Sequence, residues 1–136
     1  MLARIIALLL LIPTLSACSI SGLLPDWMSE NVAGPEPPSY RFLIAIKLKE
    51  IVGDPTKLGV IEISSPARVN SLRGASWMVC IKADNGPLLL PRYYAIFFQR
   101  AQIADSRLSV LIDQCELQSY TPFDWVAEAA GTPVAR

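Results

Sequence analysis

Eight apolar residues in a row, Ile5 to Ile12 (IIALLLLI), follow Arg4 and end at Pro13-Thr14. A basic start and a short apolar stretch are the composition of an export signal. A membrane-spanning helix takes roughly 20 apolar residues, and the stretch from Leu2 to Leu15 is shorter and interrupted by Pro13. Nothing in it is amphipathic, so it does not read as a helix packed into a domain. The fold is therefore to be built from the residues after it, and the 136 residues of the whole chain suit one ordinary domain.

Composition narrows the function classes. The chain is 52% hydrophobic and 18% charged, apolar enough for a packed core and too low in charge for a disordered tail. Twelve Lys and Arg balance twelve Asp and Glu, which removes the electrostatic case for nucleic-acid binding. Histidine is absent, which excludes Ser-His-Asp or Cys-His nucleophile systems, His-ligated zinc and histidine pH switches.

The apolar run leads into Leu15-Ser16-Ala17-Cys18. This tetrapeptide resembles the lipobox of bacterial lipoproteins, Leu-(Ala/Ser)-(Gly/Ala)-Cys, in all four positions. The resemblance implies cleavage before Cys18, a diacylglyceryl thioether on its sulfur and acylation of the new amino terminus. Only Cys supplies the nucleophilic sulfur, and the small Ser16 and Ala17 suit a cleavage pocket. An ordinary secretory signal with a free Cys18 is the alternative. Two or more acyl chains, at ~0.8 kcal/mol per buried methylene, suffice for stable attachment, so the membrane is the first expected partner. Ser19, where inner-membrane retention in well-studied members uses Asp, favours the periplasmic face of the outer membrane over the inner membrane.

We divide the rest into a lipidated Cys and flexible linker over 18–39, an α+β periplasmic domain over 40–125 and a C-terminal tail over 126–136. The linker carries Pro25, Pro35, Pro37, Pro38, Gly22 and Gly34 without periodicity and should reach roughly 25 Å. Leu23, Leu24, Trp27 and Met28 within it suit either the membrane interface or docking on the domain. Tyr40 to Val52 fits both periods, and its length favours a helix ending at Gly53 before Asp54-Pro55. Strands are predicted over Gly59–Ser64, Ala75–Ala83, Arg92–Gln99 and Arg107–Asp113, and a short helix over Phe123–Ala130. The expected fold is a small antiparallel sheet of about four strands with one packed helix.

With Cys18 assigned to lipid, Cys80 and Cys115 remain, and an oxidising periplasm favours a structural disulfide between them. No Cys-x-x-Cys spacing supports a redox pair. No metal site and no cofactor is expected. Asp105, Asp113 and Glu116, near Arg100 and Arg107, are the carboxylates from which a glycosidase-type pair could be drawn. Asp105-Ser106-Arg107 reads more simply as a turn, and Asp113 falls at the other end of the predicted strand. Alternation sends Tyr93 and Phe97 to one face of their strand and Tyr94 and Phe98 to the other. Tyr94, Phe98 and Trp125 are the expected partner surface, with cover by Trp125 and the C-terminal segment as the plainer alternative. The Asp54-Pro55 step and Val79-Cys80 strand give the domain a faint similarity to small exported bacterial proteins that have no assigned activity.

The resulting expectation is a lipid-anchored envelope protein, not an enzyme, that binds an envelope protein partner or supports an assembly. Two alternatives stand beside it: a lipoprotein that binds or inhibits a soluble periplasmic target, and a carboxylate-dependent cell-wall hydrolase.

Overall fold

The computed structural model describes residues 33–71, 74–86 and 89–131. The predicted signal segment, Cys18, the linker as far as residue 32 and the last five residues of the tail lie outside them.

A 13-residue helix, α1, spans Tyr40–Val52 as its length implies. It stops where Gly53 takes φ +86, a conformation suited to glycine, and donates its N–H to the Lys49 carbonyl. Asp54 then caps a single 3-10 turn, Pro55–Lys57, by accepting from the Thr56 N–H.

Six antiparallel strands follow among the described residues: β1 Ile61–Ser64, β2 Ala67–Ser71, β3 Gly74–Ala83, β4 Arg92–Gln99, β5 Gln102–Leu108 and β6 Tyr120–Pro122. The main path across the sheet is β5-β4-β3-β1-β6. One edge of the long β3 is shared, since β2 pairs with its first half through Ala67 opposite Met78 and β1 pairs with its second through Ile63 opposite Ile81. Pro66, which lacks an N–H for a ladder, sits in the gap between the two partners. A short helix, α2, spans Trp125–Ala129 and packs beside α1, where Arg41 Nε meets Glu128 Oε1 at 2.6 Å.

The α+β class and antiparallel sheet agree with expectation, while the strand count and several boundaries are corrected. Six strands replace about four, because β2 and β6 are additional. The strand expected at Arg107–Asp113 is replaced by β5, and Leu111–Asp113 forms a 3-10 turn instead. The tail expected from residue 126 is helical to Ala129. The last part of the expected free linker is docked. Ala33 and Pro37 are buried, the Ala33 carbonyl accepts from Arg100 N–H at 3.0 Å, and the Gly34 carbonyl accepts from Trp77 Nε1 at 3.1 Å.

The two sheet faces are unequal. The first carries Ile63, Val79, Ile81, Tyr94, Ile96 and Phe98 under Ile44 and Leu48 of α1, forming the main core. The second carries Met78, Cys80 and Ala95, covered in part by the segment around Cys115.

Candidate binding groove on the second sheet face

After β5 the chain crosses the second face in two 3-10 turns, Leu111–Asp113 and Cys115–Leu117. Such a segment has few ladder hydrogen bonds of its own, so other bonds fix it. Cys80 and Cys115 form a disulfide with Cα atoms 5.7 Å apart, both residues fully buried. Ser109 N–H donates to the Tyr93 carbonyl at 2.8 Å, and Tyr120 Oη donates to the Cys115 carbonyl at 2.7 Å. Asp113, only 5% exposed at its side chain, accepts from Arg107 Nη2 at 2.7 Å and from Val110 N–H at 2.9 Å.

This strap covers Cys80 and Ala95 and leaves the other half of the face open as a groove of about 760 Å³. Val69, Met78 and Phe97 give it an apolar floor. Asn70, Ser76 and Gln99 rim one side, and Asp105, Arg107 and Asp113 another. The guanidinium of Arg107 lies 5.1 Å over the Phe97 ring while bonded to Asp113, so strap, groove wall and floor share one side chain. Among the described residues, no cluster of three or more His, Cys, Asp or Glu is placed to hold a metal ion.

The expected site residues separate in space. Cys80 and Cys115 are joined as the cysteine count suggested. Tyr94 and Phe98 are not a surface: they are 4% and 0% exposed beneath the helices, and Trp125 packs half-buried against the same core. The partner surface expected on these three is corrected on that ground, since the α1 side of the sheet is the covered one. Asp105 and Asp113, which sequence distance put apart, line one groove, whereas Glu116 is exposed on the strap. Alternation separates Phe97 from Phe98 but does not mark Phe97 and Met78 as the floor of a groove. The available signal was polar character: Ser76, Lys82 and Gln99 share their side of the sheet, while Val79, Ile81 and Ile96 share the other.

Burial raises the Tyr120 hydroxyl above its ordinary range, reinforced by Tyr93, Glu116 and Glu62. Lys82 is also raised, chiefly by its hydrogen bond to Glu62 at 2.7 Å. A raised folded-state pKa stabilises the fold fully below the unfolded value and progressively less as pH rises beyond it. Stability should therefore fall above about pH 10, the unfolded tyrosine value. Tyr120→Phe should flatten that decline while costing about 0.5–1.5 kcal/mol at neutral pH for the lost bond to Cys115. Melting temperatures of both proteins between pH 8 and 11 check this, and parallel curves would refute the role of Tyr120.

Comparison of the chain with protein-family models, with curated proteins and with solved structures finds no match.

Proposed function

We propose that this chain is a lipid-anchored bacterial envelope protein, held by Cys18 to the periplasmic face of the outer membrane, that acts by binding a protein partner without turnover. The observation that carries the binding reading is the groove over Met78 and Phe97. It combines an apolar floor with a polar rim, and its most buried carboxylate is already committed to Arg107 and a backbone N–H. The Leu15-Ser16-Ala17-Cys18 tetrapeptide behind an eight-residue apolar run supports the anchor, and Ser19 supports outer-membrane delivery.

The anchor is tested by Cys18→Ser, which should leave full-length precursor, while the wild-type chain should show a lipid-modified N-terminal Cys by mass spectrometry. Normal cleavage after Ala17 in the variant refutes the lipoprotein reading. The groove is tested by a photo-crosslinking amino acid in place of Asn70 in intact cells, with Lys47 on the exposed side of α1 as control. A discrete adduct with a membrane protein, lost on Met78→Glu, supports the proposal. An adduct with a soluble periplasmic protein moves the function to capture or inhibition, and identical adducts from both positions reject the groove.

The convergence of Asp105 and Asp113 on one groove favours a second reading, a carboxylate-dependent hydrolase of the cell wall. Arg107 Nη2 bonds Asp113 Oδ1 at 2.7 Å and would fix the position of that carboxylate in the groove. Turnover of peptidoglycan or another glycan, abolished by Asp113→Asn with the fold intact, would establish it in place of binding.

A further inference from the structure

Two segments at one end of the sheet expose aliphatic side chains that nothing in the described chain covers. Leu89 and Leu90 precede β4, and Leu90 is 88% exposed. Leu108, Val110 and Leu111 end β5 and open the strap, with Leu111 at 88%, while the next residue, Ile112, lines the groove. Register brings these segments to the same end, since Leu108 lies opposite Tyr94 and Ser109 N–H bonds the Tyr93 carbonyl. Single exposed aliphatics are ordinary on a protein surface, but a cluster of this kind marks an interaction site.

We propose that this end docks on a lipid bilayer, with the two tips entering the acyl boundary and the side chains behind them resting among the headgroups. Three observations favour lipid over a protein. The five side chains are all aliphatic, whereas protein hot spots are enriched in Trp, Tyr and Arg and poor in Leu and Val. The acid within the second tip, Asp113, is turned inward onto Arg107 and Val110, which keeps its charge out of the apolar end. Behind the tips stands a band suited to an interface: Arg92 is exposed, and half-buried Tyr93 and Tyr120 lie 6.1 Å apart with Lys82 5.9 Å from the Tyr120 ring. Exposed Glu116 is close enough to Tyr120 to act on its hydroxyl and so belongs to the same band.

The chain outside the described residues is long enough to permit contact with the bilayer that holds Cys18. Ala33 is bonded to Arg100 at the opposite end of β4, ~25 Å from the tips at strand spacing. The stretch from Cys18 to Ala33 can extend to ~50 Å, twice that length. Docking of the tips does not itself require acylation, so the two can be tested apart.

The test uses the full chain in vesicles of phosphatidylethanolamine and phosphatidylglycerol, with an environment-sensitive fluorescent amino acid in place of Leu111 and, in a second protein, of Gln102 at the far end of β5. Acyl-brominated lipid should quench the probe at 111 roughly five-fold more strongly than at 102, with a blue shift that appears only with vesicles. Leu89→Ser with Leu90→Ser should cut the quenching at 111 at least by half with the circular dichroism unchanged. The same quenching in the Cys18→Ser chain supports docking even if acylation fails. Equal quenching at both positions overturns the proposal, as does a blue shift that occurs without lipid and grows with protein concentration, which assigns the tips to a second copy of the chain.

Discussion

Cys115→Ser should lower the stability of the domain by about 2–5 kcal/mol and release the strap from the second sheet face. The two cysteines are 35 residues apart, and closing a loop of that size contributes about 3.8 kcal/mol in the chain-entropy model. The native-state side adds to this. Both sulfurs are fully buried, so the substitution leaves a hydroxyl and an unpaired thiol among Met78, Ala95 and Tyr93. The strap's other ties to the sheet include the Ser109–Tyr93 and Tyr120–Cys115 hydrogen bonds and the Arg107–Asp113 pair, and a pair whose Arg107 is 40% exposed contributes little alone. For a domain of this size the loss corresponds to a fall of roughly 10 °C or more in melting temperature. Hydrogen exchange should show lost protection in residues 109–119 before the rest of the sheet. Cys80→Ala with Cys115→Ala should be as unstable but free of mixed-disulfide dimers. A melting temperature that reduction of the wild-type protein leaves unchanged would contradict the structural role.

The parts of this fold that were legible in sequence are those where burial and local preference agree. α1 ends at a glycine that needs φ +86 before a proline step, and β3 and β4 carry continuous apolar patterns because both lie inside the sheet. The parts that were not legible are set by pairing. β2, Ala67–Ser71, has one β-branched residue and is a strand because β3 extends past β1 and offers an edge. β6 is three residues including Pro122, which an edge strand tolerates. β5 shows the strongest conflict. Its sequence QIADSRL is mostly polar, while the apolar run just after it suggested a strand that does not form. A two-residue turn decides the register, with Gln99 opposite Gln102 and positive φ at both Arg100 and Ala101. Such a turn ordinarily uses Asn or Gly, so Arg-Ala gave no hairpin signal. Once that turn forms, pairing is complete at Leu108, and the apolar residues beyond it are left exposed as tips rather than used as a strand.

The same logic explains why the groove lay on the face opposite the expected partner surface, and substitution of adjacent aromatics distinguishes the two faces. Phe98→Ala should cost about 3–5 kcal/mol, a large share of the stability of a domain of this size. Phe98 is fully buried, opposite Trp77 on β3, and belongs to the core that Ile44 and Leu48 of α1 close. Truncation leaves a cavity walled by a sheet and a helix, and neither can collapse without breaking ladder bonds or moving α1 away from α2. Phe97→Ala, one residue earlier, removes a half-buried ring from the groove floor and its contact with Arg107. Its cost should be near 1 kcal/mol, since the groove already admits solvent and no closed cavity forms. Urea unfolding of both variants gives the comparison, and photo-crosslinking from position 70 gives the complementary one. Phe97→Ala should weaken the adduct in a stable protein, whereas Phe98→Ala should reduce folded protein. A stable Phe98→Ala protein that loses only its partner would return Phe98 to a binding surface and invert the assignment of the two faces.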